Sequence, residues 1–151
     1  MSQQEDAIST LEQLVETCRD GQNGYRDAAE HIKTPEIRNW FNQQSLERAQ
    51  FAGELESQIQ LLGKHDPDRE GSVSGALHRK WFDLKEKISG SDESVLAEVE
   101  RGEDNAKHNY EEALKKELPA DVRVIVARQA QSIYSAHDHA RMLRDQHKNA
   151  A

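Results

Sequence analysis

Along four stretches of this chain, apolar residues return at every third or fourth position. The first stretch aligns Ile8, Leu11, Val15, Cys18, Tyr25, Ala29 and Ile32. The second aligns Ile37, Trp40, Phe41, Phe51, Ala52, Leu55, Ile59 and Leu62. The third uses Val95, Val99, Ala106, Tyr110 and Ala113, and the fourth Val122, Ile125, Val126, Ile133, Ala136, Ala140 and Leu143. A spacing of three and four marks the buried stripe of an amphipathic helix, whereas a half-buried strand needs a period of two. No segment alternates for long enough to make a strand. The pattern predicts an all-α chain whose four stripes must be buried against one another.

Punctuation sets the helix limits at about 2–32, 35–62, 92–116 and 119–146. Ser2-x-x-Glu5 reads as a capping box. Thr34-Pro35 closes one helix and opens the next, with Thr as N-cap and Pro at the first helical position. Gly63 ends the second helix, and Leu118-Pro119 forces the last turn. Gly21 and Gly24 weaken the first helix, and close approach of a neighbouring helix is the expected reason. Two hairpins thus have tight turns, but Gly63 to Gly90 is far too long for one. That segment holds a polar loop around Asp66-Pro67-Asp68 and then Leu77, Trp81, Leu84 and Ile88 aligned, as in a helix over about 74–88. Such a helix would reach about 22 Å, so the connection can travel the length of a bundle, with Trp81 sealing it on.

Length and charge bound what such a bundle can do. A chain of 151 residues makes one domain, 1–151. The formal net charge of −8 argues against nucleic acid, which needs a positive surface, and the scattered basic residues offer no patch for an anionic membrane. One cysteine excludes an internal disulfide and a cysteine-rich zinc site. The polar, acidic start, Met1 to Asp6, has no leader-like apolar run, and no segment approaches the roughly 20 apolar residues a bilayer requires. The expectation is a cytoplasmic protein.

The run from Glu16 to Glu30, then Glu47-Arg48-Ala49-Gln50-Phe51-Ala52-Gly53-Glu54-Leu55, Gly71-Ser72, His78-Arg79-Lys80-Trp81 and Glu100-Arg101-Gly102-Glu103-Asp104, resembles a bacterial family of four-helix-bundle proteins known as domain of unknown function 2383. The resemblance covers nearly the whole chain. It implies a ferritin-like antiparallel four-helix bundle, with a long helix-containing crossover between helices 2 and 3. It brings no established activity with it. A short internal repeat fits such a fold: Cys18, Tyr25 and Ala28 recur in type or position as Glu103, Tyr110 and Ala113.

Bundles of this kind that hold two metal ions use one Glu from each of two helices and a Glu-x-x-His from each of the others. No Glu-x-x-His occurs in this chain. Projection at 100° per residue instead places Cys18, Gln22, Gln44, Arg48, Glu103 and Gln129 inward at mid-height, with Ile133 and Ala136 beside them. A lone buried carboxylate is costly, and an arginine is a good hydrogen-bonding partner for it. The preferred reading is a buried Arg48–Glu103 pair standing where metal would be, in a non-enzymatic structural or protein-interaction bundle with no cofactor and no catalytic residues. Its partner would be another protein or a second copy. The alternative is a protein binding iron or another divalent metal through Glu47, Glu103 and His137. A third class, a ligand bundle, follows if the three glutamines form a hydrated polar layer. Cys18 on an apolar stripe reads as a small buried hydrophobe. His137-Asp138-His139 resembles a metal-binding tag, but neighbouring helical residues diverge, so one of the two histidines at most faces inward.

Overall fold

The computed structural model describes residues 2–64 and 91–150. It contains α1 (Gln3–His31), α2 (Pro35–Leu61), α3 (Asp92–Leu114) and α4 (Ala120–Ala150). The limits fall close to those the sequence marks, except that α4 continues to Ala150 instead of ending near residue 146. The expected helix over 74–88 and its Trp81 stripe lie outside the described residues.

Local chemistry accounts for the ends. Ser2 caps α1, its hydroxyl accepting from Glu5 N at 3.0 Å, and Ser91 caps α3 by accepting from Ser94 N at 3.2 Å. Pro35 opens α2 as expected, but the Thr34 hydroxyl makes no cap bond. It donates instead to Asp92 Oδ2 at 2.6 Å. Gly63 takes φ +110°, a left-handed conformation that favours glycine.

Side-chain contacts fix the topology. Ser45 donates to Gln22 O, and Arg19 reaches Glu56, so α1 and α2 are antiparallel. Asn109 bonds Thr17 and Gln3 bonds Glu117, so α1 and α3 are antiparallel too. Glu54 pairs with Arg128 and Trp40 packs on His139, which sets α2 against α4 in the same sense. Neighbours are therefore antiparallel, and the diagonal pairs α1–α4 and α2–α3 are parallel. Consequently α2 ends beside the start of α1, where Gln4 bonds Leu62 O and Lys64 bonds Glu12. The next helix, α3, begins at the opposite end, where Asp92 accepts from Lys33 N and Thr34 N. The chain between Lys64 and Ser91 thus has its ends a bundle length apart, about 43 Å for a helix the size of α1. This is the arrangement that a long second connection anticipates.

Burial divides the core into two apolar clusters. One gathers Leu11, Leu14, Phe51, Leu55, Val126 and their neighbours. The other gathers Tyr25, Ile32, Phe41, Leu96, Val99 and Ala140. Ile8, Trp40, Leu62, Ile125 and Leu143, all expected inward, are only half-buried, while Leu14 and Leu96 are buried without having been marked by the stripe.

Candidate functional site

Between the two clusters lies a charged and polar layer. Arg48 projects from α2 and Glu103 from α3, the diagonal helices, and both side chains are fully buried. One guanidinium nitrogen, Nη2, donates to both carboxylate oxygens, at 2.7 and 2.6 Å. This differs from the two-pronged fork expected of arginine, because Nε and Nη1 have no hydrogen-bond partner among the described residues. The guanidinium carbon lies 5.4 Å from the centre of the Tyr25 ring, where the π face offers part of the missing stabilisation. Burial works against the arginine's charge, but Glu103 beside it outweighs this and raises its pKa above the ordinary value. Burial also raises the Tyr25 hydroxyl well above the usual tyrosine range, with the Glu103 charge adding to it.

Gly21 explains how arginine fits. A Cβ at that position would lie 2.7 Å from Arg48 Nη1 and 3.3 Å from its Cγ. The glycine therefore makes room for a side chain from α2, which is more specific than the close helix approach expected from sequence.

Beside the ion pair runs a chain of polar contacts through all four helices. The Cys18 sulfur of α1 lies 3.1 Å from the Tyr110 hydroxyl of α3. Tyr110 donates to Gln129 Oε1 of α4 at 2.8 Å, and Gln129 Nε2 donates to Phe51 O and Glu54 Oε1 of α2. Since the tyrosine proton goes to Gln129, Cys18 is left as the donor to the tyrosine oxygen. Burial pushes the Cys18 thiol from 9.0 up to about 11, and the Tyr110 hydroxyl well above its usual range. Tyr110 is a member of this layer that sequence reading assigned only to the core. Its partnership with Cys18 is foreshadowed by the internal repeat, whose other half sets Tyr25 near Glu103.

Of the six residues expected in the layer, Cys18, Arg48, Glu103 and Gln129 are fully buried. Gln22 and Gln44 are only half-buried. Gln22 accepts from Arg19 near the surface, and Gln44 lines an open groove between α2 and α4 with Glu47, Trp40 and His139. Gln44 Oε1 is buried without a hydrogen-bond partner, and no hydrogen bond joins the three glutamines to one another among the described residues.

Glu47, Glu103 and His137 do not come together as a ligand set. Among the described residues, the one His, Cys, Asp or Glu group with metal-like spacing is Glu100, Asp104 and His137. His137 is buried against α3, its Nε2 2.5 Å from Asp104 Oδ1, and its Nδ1 3.1 Å from Asp138 Oδ1. His139 turns the other way, edge-on to Trp40 at 4.5 Å. A metal at the bundle centre does not fit the residues present. The guanidinium already neutralises the buried carboxylate, and the neighbouring donors are a protonated thiol, a phenol and a carboxamide.

Architecture and layer together define a ferritin-like four-helix bundle whose centre holds a buried arginine–glutamate pair. The domain of unknown function 2383 family matches residues 6–116, and the chain belongs to that family. A mutant of the Dps1 protein of Mycobacterium smegmatis superposes with a TM-score of 0.79 over 95% of this chain and 99% of that one. At 16% identity the likeness speaks for the fold alone. Curated protein sequences give no significant match.

Proposed function

We propose that this protein is a non-enzymatic bundle with a structural or protein-interaction role in the cytoplasm, its centre closed to metal by the Arg48–Glu103 pair. The single observation supporting this reading is the fully buried guanidinium bound to both oxygens of Glu103. A fixed positive charge there repels a divalent cation and uses the carboxylate's lone pairs. The polar chain from Cys18 to Glu54 points the same way, because its groups are hydrogen-bonded to one another and the thiol is held protonated. The partner is a protein, either another copy of this chain or a different one. No helix among the described residues is long and apolar enough to cross a membrane.

Iron chemistry provides the test. Untagged protein mixed aerobically with ferrous iron should oxidise it no faster than protein-free buffer does, and Glu103→Gln should behave identically. Oxidation accelerated by the protein and abolished by Glu103→Gln would overturn the reading in favour of a metal centre built on that carboxylate.

A further inference from the structure

Away from the centre, the seam between α3 and α4 gathers a second set of ionisable groups. Glu100 and Asp104 stand one turn apart on α3 and meet His137 of α4, with one ligand atom from each lying within 4.8 Å of the others. We propose that this seam binds a first-row divalent cation of the zinc or cobalt kind, which enters by displacing Arg141.

The donor set is one imidazole and two carboxylates, which suits borderline divalent ions, with water completing the shell. The four-residue spacing on α3 puts both carboxylates on the same face. The imidazole is, moreover, already oriented as a ligand. Its Nδ1 rests on Asp138 at 3.1 Å, while Nε2 faces the α3 carboxylates. A carboxylate on the far ring nitrogen is the usual way a metal-bound histidine is held. Nε2 and Asp104 Oδ1 lie 2.5 Å apart, in hydrogen-bond contact, and an ion entering the seam takes the place of the proton they share.

A cation already stands beside these groups. Arg141 Nη2 is 3.5 Å from His137 Nε2, and Arg141 Nε is 3.3 Å from Glu100 Oε2. The Arg141 side chain is 53% exposed and can swing into water, whereas Glu100 and His137 are pinned by burial. Glu100 would not be left uncompensated by the exchange. Arg144 Nη1 lies 2.6 Å from its other oxygen, Oε1, and remains as a counter-charge.

Calorimetric titration of zinc chloride into the untagged protein tests this. One ion per chain is expected. Asp104→Asn, at an exposed position, keeps the side chain's size and should weaken binding about tenfold or more. His137→Ala should remove binding, with circular dichroism confirming the helices. Arg141→Gln should tighten it several-fold, because the competing cation is gone. Glu47→Gln, a change on α2 away from the seam, should leave it unchanged, which separates this site from one built on Glu47, Glu103 and His137. No saturable binding, binding indifferent to both Asp104→Asn and His137→Ala, or weaker binding in Arg141→Gln would each overturn the proposal.

Discussion

Arg48, Glu103 and Gly21 act as one unit, and their coupling can be measured. Removing the guanidinium leaves Glu103 buried and unpaired, so Arg48→Ala should cost about 3–5 kcal/mol in urea unfolding, and adding Glu103→Gln should recover part of it. Losses that simply add would show that the two do not compensate one another. Gly21→Ala should change sign with background. In the wild type the new methyl meets Arg48 Nη1 and Cγ, which Glu103 prevents from moving away, and a loss of about 1–3 kcal/mol is expected. In Arg48→Ala that obstacle is gone, and the same change should stabilise by up to about 1 kcal/mol through helix propensity. Cys18 adds a pH signature. Its thiol ionises near 9.0 when exposed and near 11 in the fold, so the unfolded chain releases its proton first as pH rises. Stability from this group is complete below pH 9 and drains away between about 9 and 11, roughly 2–3 kcal/mol in all. Unfolding measured across that range should fall more steeply in wild type than in Cys18→Ala. Much of this was legible in sequence. A buried arginine and a buried glutamate at the same height need each other, and a helical projection finds both. Gln22 and Gln44 are only half-buried, which the projection does not show because it gives a direction but not a depth: Gln22 turns to Arg19 near the surface, whereas Gln44 keeps its Oε1 buried.

Element by element, the bundle is held by its ends as well as its stripes. Asp92 opens α3, and its carboxylate receives Lys33 N at 2.8 Å, Thr34 N at 3.1 Å and the Thr34 hydroxyl at 2.6 Å. It therefore ties the α1–α2 turn to the start of α3. Desolvation alone would raise this carboxyl, but the hydrogen bonds from Thr34 and Lys33 prevail and lower it below 3.8. A depressed carboxyl stabilises the fold above its unfolded pKa and stops doing so as pH falls through the lower, folded value. Asp92→Ala should cost about 1–2 kcal/mol at neutral pH, modest because the site is largely solvated, and the difference from wild type should vanish in strong acid. Equal losses at both pH values would argue for packing instead. Sequence named Thr34 as the N-cap because residue type and the following proline fit that role. It could not show that a carboxylate nearly sixty residues away would claim the hydroxyl. The same limit hid the α3–α4 seam. Glu100 and Asp104 share a face of α3, but a single helix does not reveal which neighbour that face meets, so His137 was assigned to the wrong carboxylates.

Across the whole molecule, the Arg48–Glu103 layer separates two apolar clusters that would otherwise be continuous. It also joins the two diagonal helices, which run parallel and are consecutive along the chain through the long segment after Lys64. Burying two charges costs desolvation that their attraction repays incompletely, and the unpartnered Nε and Nη1 make the balance worse. A hydrophobic pair of similar volume removes that cost and fuses the clusters. The double variant Arg48→Met/Glu103→Leu should therefore fold and be as stable as wild type, or more stable by about 1–4 kcal/mol. What it gives up is a charged constraint at the centre on how α2 and α3 are set along one another. Without it, the register at mid-height rests on apolar packing alone, which loses uniqueness before it loses stability. Urea unfolding and the dispersion of methyl resonances, measured together, separate the two contributions. Stability retained with broadened methyl signals would identify the pair as a device for register. A loss of several kcal/mol with sharp signals would mean that the pair itself holds the bundle together, and the layer would then be a stabilising element instead of a specifying one.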